Sequence, residues 1–381
     1  MKKWMIAVAL ALVSMAGSAQ SLKANMDPSV KPGDDFWQYA VGSWLKNNPL
    51  DKEHSSNGAF VDLEELNKKR INALIMKYAD QKDLPQGSDG QKIGALYRLY
   101  MDSVSRNKMG YEPILPYLKQ VRALNNREEL LKLMYELDAK GFGTAPFGLS
   151  LGLNPHNSSE YLIDADHGGA SLPQEYYAEP NEQQQIVVDA LKSLNKDFLK
   201  MVGNSDADAE RMMQAAWAIE HRIGIKQLNQ VDRRDLQKVI HVMSWEQLLQ
   251  DFKGIDWIAY RDALNLPKDI DKVDVSQLEP LHEVEKVLAE TSVEDLKAFM
   301  EIKVVRSYGR RYLSDAFEDR AFEAMKAISG VQEQEQWWTA DCLPCLREPH
   351  EAGATVVKRR FFAGPAFLSG LRPRLGEQLY A

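Results

Sequence analysis

Along most of this chain apolar residues recur every three or four positions, in segments bounded by helix-capping residues. That pattern predicts a mainly α protein. Residues 36–44 carry four aromatics, Phe36, Trp37, Tyr39 and Trp44. Phe36, Tyr39, Ala40 and Trp44 fall at i, i+3, i+4 and i+8, on one helix face. Asp34 is placed to cap this helix, Asp35 adds negative charge at the positive end of its dipole, and Pro32-Gly33 keeps the approach non-helical. Each buried aromatic hides on the order of 150–250 Å², so the face is expected to dock on something. A second helix follows Gly58, with Leu63, Leu66, Ile71, Leu74, Ile75 and Tyr78 as its apolar positions. Ser88 with Gln91 reads as a capping box before the stripe Ile93, Leu96, Tyr97, Tyr100, Met101 and Val104. Asn126 with Glu129 repeats the signal ahead of Leu130, Leu133, Met134 and Leu137, and Gly141 closes that helix.

The period changes between Gly141 and Leu172. Residues 147–151 and 160–163 read as strands around the turn Asn154-Pro155-His156-Asn157, one small β-hairpin within 147–166. Helical period then returns. It covers residues 183–202, stopping at Gly203, then 207 to about 228, then a helix capped by Ser244 with Gln247. Ser292 and Asp295 start a longer helix running toward Leu313, and residues 315–328 stop near Gly330.

Composition adds limits. With a net charge of −8 the chain has no basic footprint for nucleic acid, which excludes that partner class. Lys2 and Lys3, the apolar run 4–15 and the small residues Gly17-Ser18-Ala19 read as a signal peptide over residues 1–19. The mature protein is therefore expected to be exported, to a periplasm or the outside. The apolar run is too short to span a bilayer, and no later stretch reads as a membrane span. The only cysteines, Cys342 and Cys345, lie near the C-terminus, so packing rather than disulfides must hold the fold.

Several motifs invite chemistry and fail on spacing. Gly148-Leu149-Ser150-Leu151-Gly152 matches the serine-hydrolase elbow G-x-S-x-G, yet Pro155 stands where the following helix belongs. Residues 204–209 resemble the start of a calcium loop but carry Ala209 and Ala215 where glycine and glutamate are needed, which leaves a helix N-terminus. Asp164, Asp166 and His167 gather three potential ligands; in a strand the two aspartates share a face and His167 points away. A catalytic zinc needs three protein ligands, and on a helix H-E-x-x-H supplies two of them. The seven histidines are His54, His156, His167, His221, His241, His282 and His350, no two of them four apart. His282-Glu283 meets Lys286 where the second histidine belongs, His350-Glu351 meets Ala354, and Trp217 spoils the inverted motif at Glu220-His221. Cys342-Leu343-Pro344-Cys345 lacks the partners that zinc or a redox site requires. No residue of this sequence is assigned as catalytic, cofactor-binding or metal-ligating.

Asp34-Asp35-Phe36, Tyr39-Ala40, Gly42 and Trp44 closely resemble the opening signature of the neprilysin-like zinc metallopeptidases, which include the endothelin-converting enzymes and the bacterial oligoendopeptidase O type. Leu99-Tyr100-Met101-Asp102 resembles a later block. Gly169-Ala170-Ser171-Leu172-Pro173 with Tyr176-Tyr177 is similar to another, and Tyr312, Phe317, Phe322 and Gly330 to a fourth. The resemblance covers residues 26–330. It implies a multi-helix lid over a chamber, peptide substrates, and zinc in intact members held by a C-terminal half. This chain is therefore expected to bind no zinc, to be inactive alone and to lack that catalytic half as its partner. The arginines that hold a substrate carboxylate in some members have Ser56 and Glu64 as their nearest positions here, so that role does not carry over.

The domains expected are a signal peptide over 1–19, a helical region over 20–336 and a divergent tail over 337–381. The tail holds five arginines and one lysine, against a lysine preference before it, and helical period fades. A reading-frame change near Glu335, giving a truncated and disordered end, is the expected cause. The alternatives to a peptidase region are a non-catalytic peptide-binding scaffold and a serine hydrolase using Ser150.

Overall fold

Capping side chains open most helices in the computed structural model, which describes residues 23–334. The leader 1–19, the stretch 337–381, both cysteines and His350 lie outside those residues. Helix α1 (Phe36–Asn47) starts at Asp35, whose carboxylate accepts from the Gln38 amide at 2.9 Å. The cap is thus Asp35 and not Asp34, whose own amide donates to the Lys31 carbonyl in the preceding turn. After α2 (Ala59–Asp80), α3 (Asp89–Met101) opens at Ser88, which accepts from the Gln91 amide. The Gln91 side chain accepts from the Gly87 amide, so the expected box closes one residue early. The stripe expected to run to Val104 breaks at Asp102. That residue ends α3 and caps α4 (Ser103–Met109) through the Ser105 amide, leaving Val104 exposed.

Helix α5 (Leu115–Ala123) leads to α6 (Arg127–Ala139), capped by Asn126 as expected. Gly141, at φ +89°, lets its own amide and that of Phe142 satisfy the Asp138 and Leu137 carbonyls. The hairpin β1 (Phe147–Asn154) and β2 (Asn157–His167) follows, turned by the Asn154 side chain accepting from the His156 amide. Next come α7 (Glu175–Ala178), α8 (Glu182–Met201), α9 (Asp206–Gly224) and α10 (Leu236–Val239). The chain continues through β3 (Val242–Ser244), α11 (Trp245–Asp251), α12 (Trp257–Leu264) and β4 (Lys272–Val275). It closes with α13 (Leu278–Glu290), α14 (Val293–Tyr312) and α15 (Asp315–Ser329).

The hairpin is half of a four-stranded sheet in the order β1-β2-β4-β3. β1 pairs antiparallel with β2 (Ser150 opposite Asp164), β2 parallel with β4 (Asp164 beside Asp274), and β3 antiparallel with β4. One face carries Phe147, Leu149, Ile163, Ala165, Val273 and Val275, all buried. These pack into the main apolar core with Phe142, Met134, Trp257 and Phe299. Among the described residues no helix is long and apolar enough to cross a membrane.

Two compact units divide the described residues: one up to Asn67 with Val331–Glu333, the other Lys68–Gly330 with Gln334. In the first, Ser43 donates to the Met26 carbonyl at 2.7 Å and Lys46 meets the Asp27 carboxylate at 2.6 Å. Lys46 and Ser29 hold the Asp27 carboxyl down at about 2. A Cβ on Gly42 would lie 2.8 Å from the Asp27 Cβ and 2.6 Å from the Gln38 side-chain Nε2, so the glycine of the opening signature is a close-approach residue. Gly42→Ala is expected to break the Lys46–Asp27 contact. NMR titration should then find Asp27 returning toward the ordinary carboxylate range, and an unchanged value would refute the assignment. The docked aromatic face expected for α1 is only partly present: Tyr39 and Trp44 are half-buried, while Phe36 is 68% and Trp37 62% exposed.

Candidate functional site

The polar groups that stand out lie in three places in the second unit. The first is the sheet face opposite the core. Antiparallel partners share a face, which sets Gly148, Ser150 and Gly152 of β1 beside Asp164 and Asp166 of β2; parallel pairing adds Asp274 of β4. Gly148, Ser150, the three aspartates and Ser276 line a groove of about 380 Å³. Burial raises the Asp164 carboxyl above the usual range, and the Asp274 and Asp166 charges push the same way. Asp274 accepts from the His241 amide at 2.6 Å and Asp166 from the His167 amide at 2.8 Å. As expected, Asp164 and Asp166 share this face and His167 leaves it. Burial also lowers the His167 imidazole, against the pull of Asp166.

The second place is the loop after β2. Gly169 approaches α9 so closely that a Cβ would meet the Ile223 methyl at 2.3 Å. The loop then settles on a buried carboxylate, Glu220. Glu220 accepts from the Ser171 hydroxyl (2.9 Å), the Ser171 amide (3.2 Å) and the Tyr177 hydroxyl (3.2 Å). The Tyr177 oxygen in turn accepts from the Ser171 and Leu172 amides, and its ring stacks on Trp217 at 5.2 Å. From α14, Lys303 lies 3.5 Å and Arg306 3.9 Å from the same carboxylate, and Arg306 also donates to the Ser171 hydroxyl at 2.8 Å. Burial lowers the Lys303 amine, with Glu220 opposing. The serine–leucine–proline and double-tyrosine block is therefore a strap tied to two helices by one acid.

The third is Asp138, in the last turn of α6. It retains some exposed surface, but its carboxylate is ringed by donors: the Thr144 amide and hydroxyl, the Ala145 amide at 3.2 Å and the Tyr260 hydroxyl at 2.9 Å. Burial lifts its carboxyl to about 6, against those hydrogen bonds.

Sequence reasoning did not single out Asp138, Lys303 or Asp274, and it met Glu220 only in a failed zinc motif. A signal existed for two of them. Glu220 stands within the buried stripe Met213, Ala216, Ile219 and Ile223, where a charge needs a partner. Asp138 puts negative charge at a helix C-terminus, where the dipole disfavours it.

Ser150 sits mid-strand, exposed, with β1 continuing to Asn154, so the nucleophile-elbow geometry is absent. Residues 204–209 open α9, with Ser205 capping the Asp208 amide. The described histidines are dispersed. His54 meets Asp51 at 2.8 Å, His241 meets the Val275 carbonyl at 2.8 Å, and His282 stacks on Phe252 at 4.4 Å. His221 lies edge-on to Tyr177. Among the described residues no group of three or more His, Cys, Asp or Glu is placed to hold a metal ion, so they do not fit a zinc centre. What they can do is position backbone and present one acidic groove.

Endothelin-converting enzyme-like 1 of Mus musculus is 25% identical over 344 residues, covering 83% of this chain and 42% of that protein. Endothelin-converting enzyme 1 of Rattus norvegicus is 24% identical over 363 residues, 91% of this chain and 45% of its own length. The chain thus spans less than half the length of these curated relatives. Among solved structures, the inhibitor complex of Mycobacterium tuberculosis zinc metalloprotease Zmp1 shares the fold with a TM-score of 0.78 at 22% identity, over 89% of this chain and 51% of that one. PepO from Lactobacillus rhamnosis follows at 0.66 and 18% identity, over 86% and 50%. The model of Peptidase family M13, in its N-terminal part, matches residues 32–364, and the chain belongs to that family.

Proposed function

We propose that this chain builds the helical wall of a peptide-enclosing chamber in an exported zinc metalloendopeptidase. The zinc motif, the third ligand and the groups that grip the substrate backbone come from sequence outside these 381 residues. The observation that carries the reading is the family match over residues 32–364, on a fold shared with half of a zinc metalloprotease. Short peptides are the substrates such a chamber admits, because an enclosing wall turns folded proteins away. The residues described here contribute enclosure and orientation: the Glu220 strap and the Asp138 cap hold loops in place, and no bond-breaking step passes through them. Segment 1–19 delivers the protein to a periplasm or the outside. The chain alone binds no zinc and hydrolyses nothing.

Elemental analysis of the purified chain is expected to find zinc far below one per molecule, with no chelator-sensitive cleavage of an internally quenched peptide. Supplying the zinc-bearing half of an M13 peptidase in trans is expected to produce cleavage that neither piece shows alone. Stoichiometric zinc in the chain by itself, with cleavage abolished by chelator, would overturn the proposal.

A further inference from the structure

Among the described residues the sheet ends in an unguarded edge. β1 is an outer strand, and residues 148–153 contain no charge and no proline. The register irregularity of the β1–β2 pair falls only at their end, between Leu153 and Asn154. Natural edge strands are usually blunted by a lysine, a proline, a bulge or a covering segment, because alternate residues direct unpaired N–H and C=O groups outward. Ser150, Leu151 and Leu153 are exposed, and among the described residues no backbone bond from outside the hairpin reaches residues 148–153.

Each face of this edge has its own groove. On one side lies the acidic groove of Ser150, Asp164, Asp166 and Asp274. Among the described residues no lysine or arginine is ion-paired with those three aspartates; burial first, and then the Asp274 and Asp166 charges, raise the Asp164 carboxyl. On the other side a groove of about 540 Å³ is lined by Leu151, Tyr161, Pro267 and Ile270 together with four charged residues, three of them acidic. Leu151 is 44% and Tyr161 60% exposed. A strand added to β1 would send successive side chains alternately to these two faces.

We propose that β1 is a peptide-recognition edge: an extended polypeptide pairs with it through main-chain hydrogen bonds, placing basic side chains over the aspartates and apolar ones beside Leu151 and Tyr161. The acidity of the first groove and the exposed Leu151 and Tyr161 beside the second favour that alternation. Edge-to-edge pairing with a second copy is disfavoured by the same acidity, which would be present on both partners. The inference goes beyond the chamber-wall reading and is independent of hydrolysis, since its readout is binding to the intact chain.

The test uses two fluorescein-labelled seven-residue peptides, one alternating valine with lysine and one alternating valine with glutamate. Fluorescence polarisation with the full chain is expected to show the lysine peptide binding at least about tenfold tighter, a preference that shrinks as salt screens the groove. Amide exchange at residues 148–153 is expected to slow in the lysine complex. Asp164→Asn combined with Asp166→Asn is expected to bring the two affinities together while main-chain protection persists. Equal affinities in the wild-type chain, binding without protection of 148–153, or no binding would each overturn the proposal. So would a disulfide-linked dimer formed readily by Ser150→Cys, which would assign the edge to self-pairing.

Discussion

Glu220→Gln is expected to destabilise the second unit by about 3–5 kcal/mol, the range for breaking a buried ion pair from one side. Glutamine preserves the shape but has one oxygen where two accept from the Ser171 and Tyr177 hydroxyls, and it leaves Lys303 and Arg306 facing a neutral group. Urea unfolding followed by tryptophan fluorescence would measure the loss, because Trp217 stacks on Tyr177 within the strap. The partner variant decides the cause. Lys303→Met in the Glu220→Gln background should recover part of the stability, since it removes the stranded ammonium; a double variant weaker than either single would point to packing instead. Amide exchange at Ser171 and Leu172 should rise in Glu220→Gln before the rest of the unit opens.

The Asp138 carboxyl supports an effect of comparable size with a pH signature. Its value in the folded chain is about 6, raised by burial over the ordinary carboxylate value near 3.9. The folded state therefore holds the proton more tightly than the unfolded state between those limits. This group's contribution is largest below about pH 4 and is lost as pH rises through 6, by roughly 2–3 kcal/mol. Asp138→Asn cannot take up that proton. The stability gap between wild type and Asp138→Asn is thus expected to widen as pH falls from 6 to 4, on top of a pH-independent loss of about 1–3 kcal/mol. That loss arises because an amide brings donors toward the Thr144 and Ala145 amides, which also donate. A gap that stays flat across pH 4–6 would mean Asp138 is ionised throughout, with its hydrogen bonds outweighing burial.

Local chemistry was readable in this sequence wherever one residue type has one use. Ser88, Asn126, Ser244 and Ser292 each cap a helix where the spacing places them. The hairpin turn was equally legible from Asn154-Pro155. Asp34 and Asp35 show the limit of that logic: either neighbour could cap α1, and the backbone conformation chose the second. The three- and four-residue strands β3 and β4 are too short for alternation to show, so the four-stranded sheet was hidden behind its hairpin. Periodicity placed Phe36 and Trp44 on one face of α1 but could not say what covers it, and Phe36 is in fact exposed. The acidic groove was half legible. Asp164 and Asp166 are a strand apart by two, while Asp274 joins them through a parallel pairing no local pattern announces. The family, by contrast, was written in blocks whose physical reasons now differ: Gly42 is a steric clearance, Asp102 a shared cap, and Ser171 with Tyr177 a strap.

The parallel partnership of β2 with β4 also sets an order of events during synthesis. Ile163 must wait for Val273, which leaves the ribosome about 110 residues later. At typical elongation rates of 5–20 residues per second that interval is roughly 5–20 s. Through it the nascent hairpin has two open edges, the outer one of β1 and the inner one that β4 will fill. Long-range pairing of this kind slows folding and leaves strands available to wrong partners. Holdase chaperones that bind extended chains are therefore expected to contact residues 157–167 during synthesis and release them once β4 arrives.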